Sequence, residues 1–288
     1  MKQPTLRAVV LVFFVGALLR PQEAVAQTIH YVDNVRTCDG LSPCYSAIMD
    51  AVNAAASFDS IEVFPGVYHE AVVFSAKDHI VLKAHDEALP PVIAAPAGLD
   101  AVAITASPGV QVRRFVLEAP EGAGAAVDSG DSSASLVQGN LVSALSGVTL
   151  GASVSCTVSD NTVLGGGISL LSGHDCLIER NTLEGAGIVV GGGPSGVKGT
   201  MIQQNVVRGG GISLSGKNVR DNTVGSNLVS ASARDGITVQ TMNGRAANVI
   251  QDNTAIENAA CDINDSSSRG GNTWTRNRFG TGCGAATE

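Results

Sequence analysis

Asp160 and Glu179 each lie just before an asparagine, and basic side chains follow: Arg180, then Lys198 and Arg208. Carboxylates placed on neighbouring turns of chain can share a hard cation such as calcium. A basic side chain beside that cation is what proton abstraction next to a carboxylate needs. The cation neutralises the carboxylate and stabilises the enolate-like intermediate while the base takes the proton. Asp221 and Asp252 sit before asparagines in the same way, as parts of Arg220-Asp221 and Gln251-Asp252. Arg180 or Arg208 serves as a base only where its surroundings depress a guanidinium pKa strongly. Lys198 is a third candidate base, carried by the glycine-rich insertion Gly191 to Thr200. A mixed, solvated surface is the commoner origin of such charge patterns.

Other chemistries fit less well. GGGPSG satisfies G-x-G-x-x-G formally, but VKGTMIQQN after it reads as strand, so the dinucleotide fingerprint fails. His30, His69, His79, His85 and His174 are dispersed, and no C-x-x-C pair occurs. Apart from Met1 only Met49, Met201 and Met242 are present, too few and too scattered for a thioether copper site. No firm metal site is expected, and calcium is the one cation the carboxylates suggest.

The elements that must position these residues are short and repeated. The pattern N-x-[VLA]…G-[IV]-x-[LV] recurs from Asn140, Asn161, Asn181, Asn205 and Asn227, and Asn253 and Asn277 continue it in part. An apolar residue stands three before each asparagine (Val137, Val158, Ile178, Ile202, Val224, Ile250, Trp274) and another two after it. Asn222 competes with Asn227 for one turn, which leaves the register over residues 215–235 open. Runs this short and this rich in valine and isoleucine are strands, and a period of about 20–25 residues means a solenoid. Coils about 4.8 Å apart would stack each apolar position on its equivalent. Asparagine tolerates left-handed backbone and its amide can bond the amides above and below. The row Asn140, Asn161, Asn181, Asn205, Asn253, Asn277 therefore predicts a buried ladder at a tight turn.

Six cysteines in one chain suggest three disulfides. Cys156 and Cys176 each stand five residues before a ladder asparagine, so stacking puts them in one column at disulfide distance. Cys38–Cys44 would clip the start and Cys261–Cys283 the end. PCYSAIMDAVNAAAS, Pro43 to Ser57, reads as an amphipathic helix that caps the open first coil. Lys2 and Arg7, the apolar run Ala8 to Leu19 and Ala24-Val25-Ala26 form a secretory signal over residues 1–26. The expected divisions are that leader, an N-terminal strand and capping helix over 27–58, and a β-helix over 59–288. No later run reaches membrane-spanning length.

Composition agrees. Charged residues make up 15% and aromatics 4%, with 34 glycines in 288 residues and a net charge of −8. That excludes a coiled coil, a charge-driven disordered chain and a nucleic-acid binder.

The order YVDN…CDG…PCYSAIMDAVNAAA…SIEVFPGVYHEAVVF, followed by the asparagine–GI repeats, resembles secreted right-handed parallel β-helix proteins of the pectate-lyase-like superfamily. The resemblance implies an all-β right-handed parallel β-helix and an extracellular polysaccharide as partner. It also implies a choice of chemistries, because the fold hosts many. N-T-D, D-D and G-H-G of the hydrolases are absent, as are D-P-H of the epimerases and the Asp-Asp-Arg set of the esterases. What stays open is a secreted or periplasmic monomer that binds or processes polysaccharide, as a cation-assisted lyase if it is an enzyme at all. The alternative is a non-catalytic surface or adhesion module. Few aromatics favour ionic and hydrogen-bonded recognition over ring stacking.

Overall fold

The computed structural model describes residues 27–119, 124–191, 193–242, 247–268 and 271–286, so the expected leader lies outside it. The chain winds as a right-handed parallel β-helix, and among the described residues its strands form three long parallel sheets. The first has twelve strands, from Cys44–Tyr45 and Ile29–Val32 at one end to Thr273–Thr275 at the other. The second has ten, Val67–Tyr68 to Arg278–Phe279, and the third eleven, Val72–Ser75 to Gly282–Gly284. Each strand pairs with its equivalent in the next coil, as Val137 with Val158 and Val158 with Ile178. The residues three before each ladder asparagine, from Val137 to Ile250, are fully buried. So are those two after it, from Val142 to Val229, and the core is a column of valine, isoleucine and leucine.

The asparagine ladder runs unbroken through seven coils: Asn140, Asn161, Asn181, Asn205, Asn227, Asn253 and Asn277, amide to amide at 2.9–3.1 Å. The left-handed backbone falls on the residue before each asparagine, not on the asparagine itself. Gly139, Asp160, Arg180, Gln204, Ser226, Asp252 and Arg276 all have φ between 52° and 68°. The turn is made there, which leaves the asparagine side chain free to enter the stack and accept its neighbour's backbone N–H. Asn222 belongs to a second ladder, Asn222–Asn248–Asn272, at the corner between the third and first sheets. Both readings of that register are thus correct, for two different corners. Thr200 donates its N–H to Asn222 in this second column, and Cys176 and Cys156 precede it there. The Cys156–Cys176 disulfide, with Cα atoms 4.6 Å apart, staples two of the coils in which this column lacks an asparagine.

The cap departs from expectation. The α-helix covers only Ile48–Ala54 of the Pro43–Ser57 span, with Ile48, Ala51 and Val52 buried. Cys44–Tyr45 is instead a strand beside Ile29–Val32, held by the Cys38–Cys44 disulfide and by Pro43 accepting the Tyr31 N–H. Glu70 starts the helix from outside, its carboxylate accepting the N–H groups of Ile48 and Met49 at 2.8 and 2.9 Å. At the far end Cys261 is bridged to Cys283, and Trp274 donates its indole N–H to Asp265.

Candidate functional site

The ladder corner that carries Asp160, Glu179 and Arg180 is saturated. Arg180 grips Asp160 with two hydrogen bonds, of 2.7 and 3.1 Å, and bonds Glu179 as well. Its guanidinium occupies the place a shared cation would take. Arg180 holds the Asp160 carboxyl down to about 2, and the two carboxylates hold Arg180 above the ordinary arginine range, still less fit to be a base. Asp252 pairs in the same way with Arg276, which lowers its pKa. Arg208 pairs with Glu184 at 2.8 Å on the outer face of the second sheet. These residues form coil-to-coil ion pairs, and the structure does not assemble them into a base-and-cation centre.

Lys198 has different surroundings. Val197–Lys198, inside the predicted insertion, pairs with Gly173–His174, and Lys198 bridges on to Arg220 in the following coil. His174, Lys198 and Arg220 therefore stack in one column where the third sheet turns toward the first. With Gly173, Ser195, Gly196 and Asn218 they line a cavity of about 420 Å³. Two glycines let the loop lie this close to its neighbours. A Cβ on Gly173 would come within 1.9 Å of the Ser153 carbonyl, and one on Gly196 within 2.5 Å of the Asn218 carbonyl.

The column's charges are unevenly balanced. His174 is bonded by Asp175 at 2.8 Å, and Arg220 by Asp221. Asp175, Gly199 and Asp221 come directly after these three basic residues, all with left-handed backbone. The middle place holds glycine, and Lys198 forms no ion pair among the described residues. An exposed, unneutralised ammonium thus sits between two further cationic or protonatable side chains, on a chain of net charge −8. The site is suited to a carboxylate, sulfate or phosphate group presented from solvent.

Of the candidates read from sequence, the structure brings Lys198 and the Arg220-Asp221 pair together. It leaves Asp160, Glu179, Arg180 and, in later coils of the same column, Asp252 at the other corner of the first sheet, and Arg208 on the second sheet. His174 and Asn218 were not singled out for this cleft. The signal for His174 lay in an offset: His174, Lys198 and Arg220 each stand two residues before a member of the second corner column, Cys176, Thr200 and Asn222.

Residues 107–282 match the family described as "Periplasmic copper-binding protein (NosD)". Among solved structures, the pectin methylesterase of Aspergillus niger is similar over 86% of this chain and 91% of its own, at 16% identity and a TM-score of 0.51. An alginate lyase from Paenibacillus is similar over 89% and 99%, at 15% identity and a TM-score of 0.48. No curated protein matches the sequence. The esterase likeness concerns the β-helix fold.

Proposed function

The chain belongs to the periplasmic copper-binding protein (NosD) family, and from that premise we propose that it works outside the cytoplasm, holding an acidic polysaccharide rather than copper. Copper takes thiolate, thioether and imidazole donors. Here all six cysteines are in disulfides. His30 bonds Asp59, His85 bonds Glu62, His174 bonds Asp175, and His79 stacks on Phe58. Met49 lies in the cap helix, Met201 in the first sheet and Met242 in the third. No three of the histidine, cysteine, aspartate and glutamate side chains gather as a metal site among the described residues. The donor set does not fit the metal.

The observation that carries the glycan reading is the His174–Lys198–Arg220 column around Lys198's unpaired ammonium. Lys198 and Arg220, one coil apart at about 4.8 Å, are close enough to act together on one carboxylate-bearing sugar of a uronate chain. Arg220 would take a carboxylate by hydrogen bonds, and Lys198 would supply the uncompensated charge. Three disulfides and a periplasmic family support a location outside the cytoplasm. Elimination is a second reading, favoured by one fact: of the three candidate bases, Lys198 alone is free of an ion pair among the described residues.

Affinity electrophoresis through gels containing polygalacturonate, alginate or neutral dextran tests the proposal. Retardation by the acidic polymers only, reduced by added salt and by Lys198→Ala, is expected. Equal retardation by dextran, or a Lys198→Ala variant that migrates as the parent does, would overturn it. The same polymers followed for unsaturated-uronate absorbance decide between holding and cleaving.

A further inference from the structure

A second cavity, of about 530 Å³, lies at the opposite end of the same strands of the third sheet, lined in part by Gly211, Ser213, Arg234, Thr238 and Gln240. Its glycines are no sign of a ligand. A Cβ on Gly187 would meet the Gly211 carbonyl at 2.0 Å, so coil stacking alone demands them. The charge is more telling. Arg234 is exposed and forms no ion pair among the described residues. The adjacent carboxylate, Asp235, is already engaged by the Cys261 N–H at 3.0 Å, the Asn264 amide at 2.8 Å and the Thr238 hydroxyl at 3.3 Å.

The strand Ile212–Lys217 joins the two cavities. Ser213 lines this one, and Asn218, just past the strand's end, lines the Lys198 cleft. Five residues of strand, at about 3.3 Å each, separate them by roughly 17 Å, the length of several pyranose units. Between them the outward positions are polar. Ser213 pairs in register with Thr238 and Ser215 with Gln240, while Leu214 and Val239 point into the core. We infer that the glycan site continues across this face, with Arg234 reading a second carboxylate several sugars from the one held by Lys198. The inference rests on the corner-cleft proposal and gives it a direction and a minimum ligand length. Separated cations joined by hydroxyls and amides suit a uronate oligosaccharide. Neither cavity is lined by a phenylalanine, tyrosine or tryptophan on which the bases of a nucleic acid would stack.

Calorimetric titration with uronate disaccharide, tetrasaccharide and hexasaccharide tests it on the parent, Arg234→Ala and Lys198→Ala proteins, with unchanged circular dichroism melts as the folding control. Affinity should rise about tenfold from disaccharide to hexasaccharide, the equivalent of one further charge-assisted contact. Arg234→Ala should remove that gain and leave disaccharide binding intact, whereas Lys198→Ala should weaken every length. A hexasaccharide bound no better than the disaccharide, or bound equally by Arg234→Ala, overturns the extension and leaves the corner cleft standing. Binding at no length overturns both.

Discussion

Replacing Asn181 by alanine should cost the protein about 3–5 kcal/mol, judged from the hydrogen bonds it would sever. The Asn181 side-chain oxygen accepts the Asn161 N–H at 3.0 Å and the Asn161 amide at 2.9 Å. Its own amide donates to the carbonyls of Val158 and Glu179 and to the next ladder oxygen, on Asn205, at 2.9–3.0 Å. Alanine leaves the buried Asn161 N–H without that acceptor, a desolvation cost of about 1–3 kcal/mol, and the four severed side-chain links, three of them sharing one NH2 group, add about 0.5 kcal/mol each. Asn277 is the internal control. It accepts from Asn253 and donates to Ile250, but the ladder ends with it and it is only half-buried, so water replaces part of what is lost. Asn277→Ala should cost about 1–2 kcal/mol. Urea unfolding of both variants, followed by circular dichroism and by the lone tryptophan, Trp274, measures the difference. In a stacked-coil protein the central lesion should also separate the two probes' midpoints, because each coil is held only by its neighbours. A cost below about 1 kcal/mol at Asn181, or equal costs at the two sites, would refute the ladder's role in stability.

Three further outcomes are expected. Thr200, between Cys176 and Asn222 in the second corner column, carries a buried hydroxyl with no hydrogen-bond partner among the described residues. Thr200→Val keeps the shape and should raise stability by about 1 kcal/mol in the same urea experiment, and a loss would mean the hydroxyl has a partner. Burial by itself raises the Asp33 carboxyl, but the Thr37 hydroxyl and the N–H groups of Val35, Cys38 and Thr37 outweigh it and bring the group to about 2. Asp59, Asp262 and Asp265 are likewise lowered by hydrogen bonds in spite of burial. Folded values below the unfolded one of about 3.9 mean stabilisation that is complete above it and lost as pH falls toward about 2. The melting temperature should hold from neutral pH to about 5 and drop steeply below about 4, and a profile flat to the acid end would contradict the assignment. Titration with cuprous or cupric ions, followed by desalting and metal analysis, should leave less than stoichiometric copper and an unchanged melt. One tightly held ion per chain would restore the metal reading.

Much of the fold was legible because its cause is periodic. A residue that must enter a stack recurs at one place in every coil, and the spacing of Val158, Asn161 and Val163 alone announces an inward–ladder–inward triplet. The left-handed position was misplaced by one residue for a physical reason. Glycine, aspartate, arginine, glutamine and serine all occupy it, because the stacked asparagine stabilises the turn and the residue before it need only tolerate the strain. Cap geometry was less legible. Glu70, far along the chain, sets where the helix begins, and the disulfide at Cys44 keeps the preceding residues extended.

The candidate site was half legible, and the missing half shows what charge patterns mean on a solenoid. Sequence spacing shows which residues share a column but not which columns already contain their counter-ions. In sequence Asp160 and Arg180 look like a cation ligand beside a base, yet one coil step brings them into direct contact and pairs each with the other. Lys198 differs only in its next residue: where neighbouring coils supply Asp175 and Asp221, its own coil supplies Gly199. A missing counter-ion in an otherwise alternating column is therefore the signal to seek in such chains. On that criterion Arg234 stands out as well, since Asp235 beside it spends its oxygens on backbone and amide donors. The cleft and its distal cavity, with the exposed Lys217 on the strand that joins them, are then places on this part of the third sheet where positive charge meets solvent with no ion-pair partner among the described residues. That is the condition an acidic glycan needs if it is to bind a protein whose overall charge repels it.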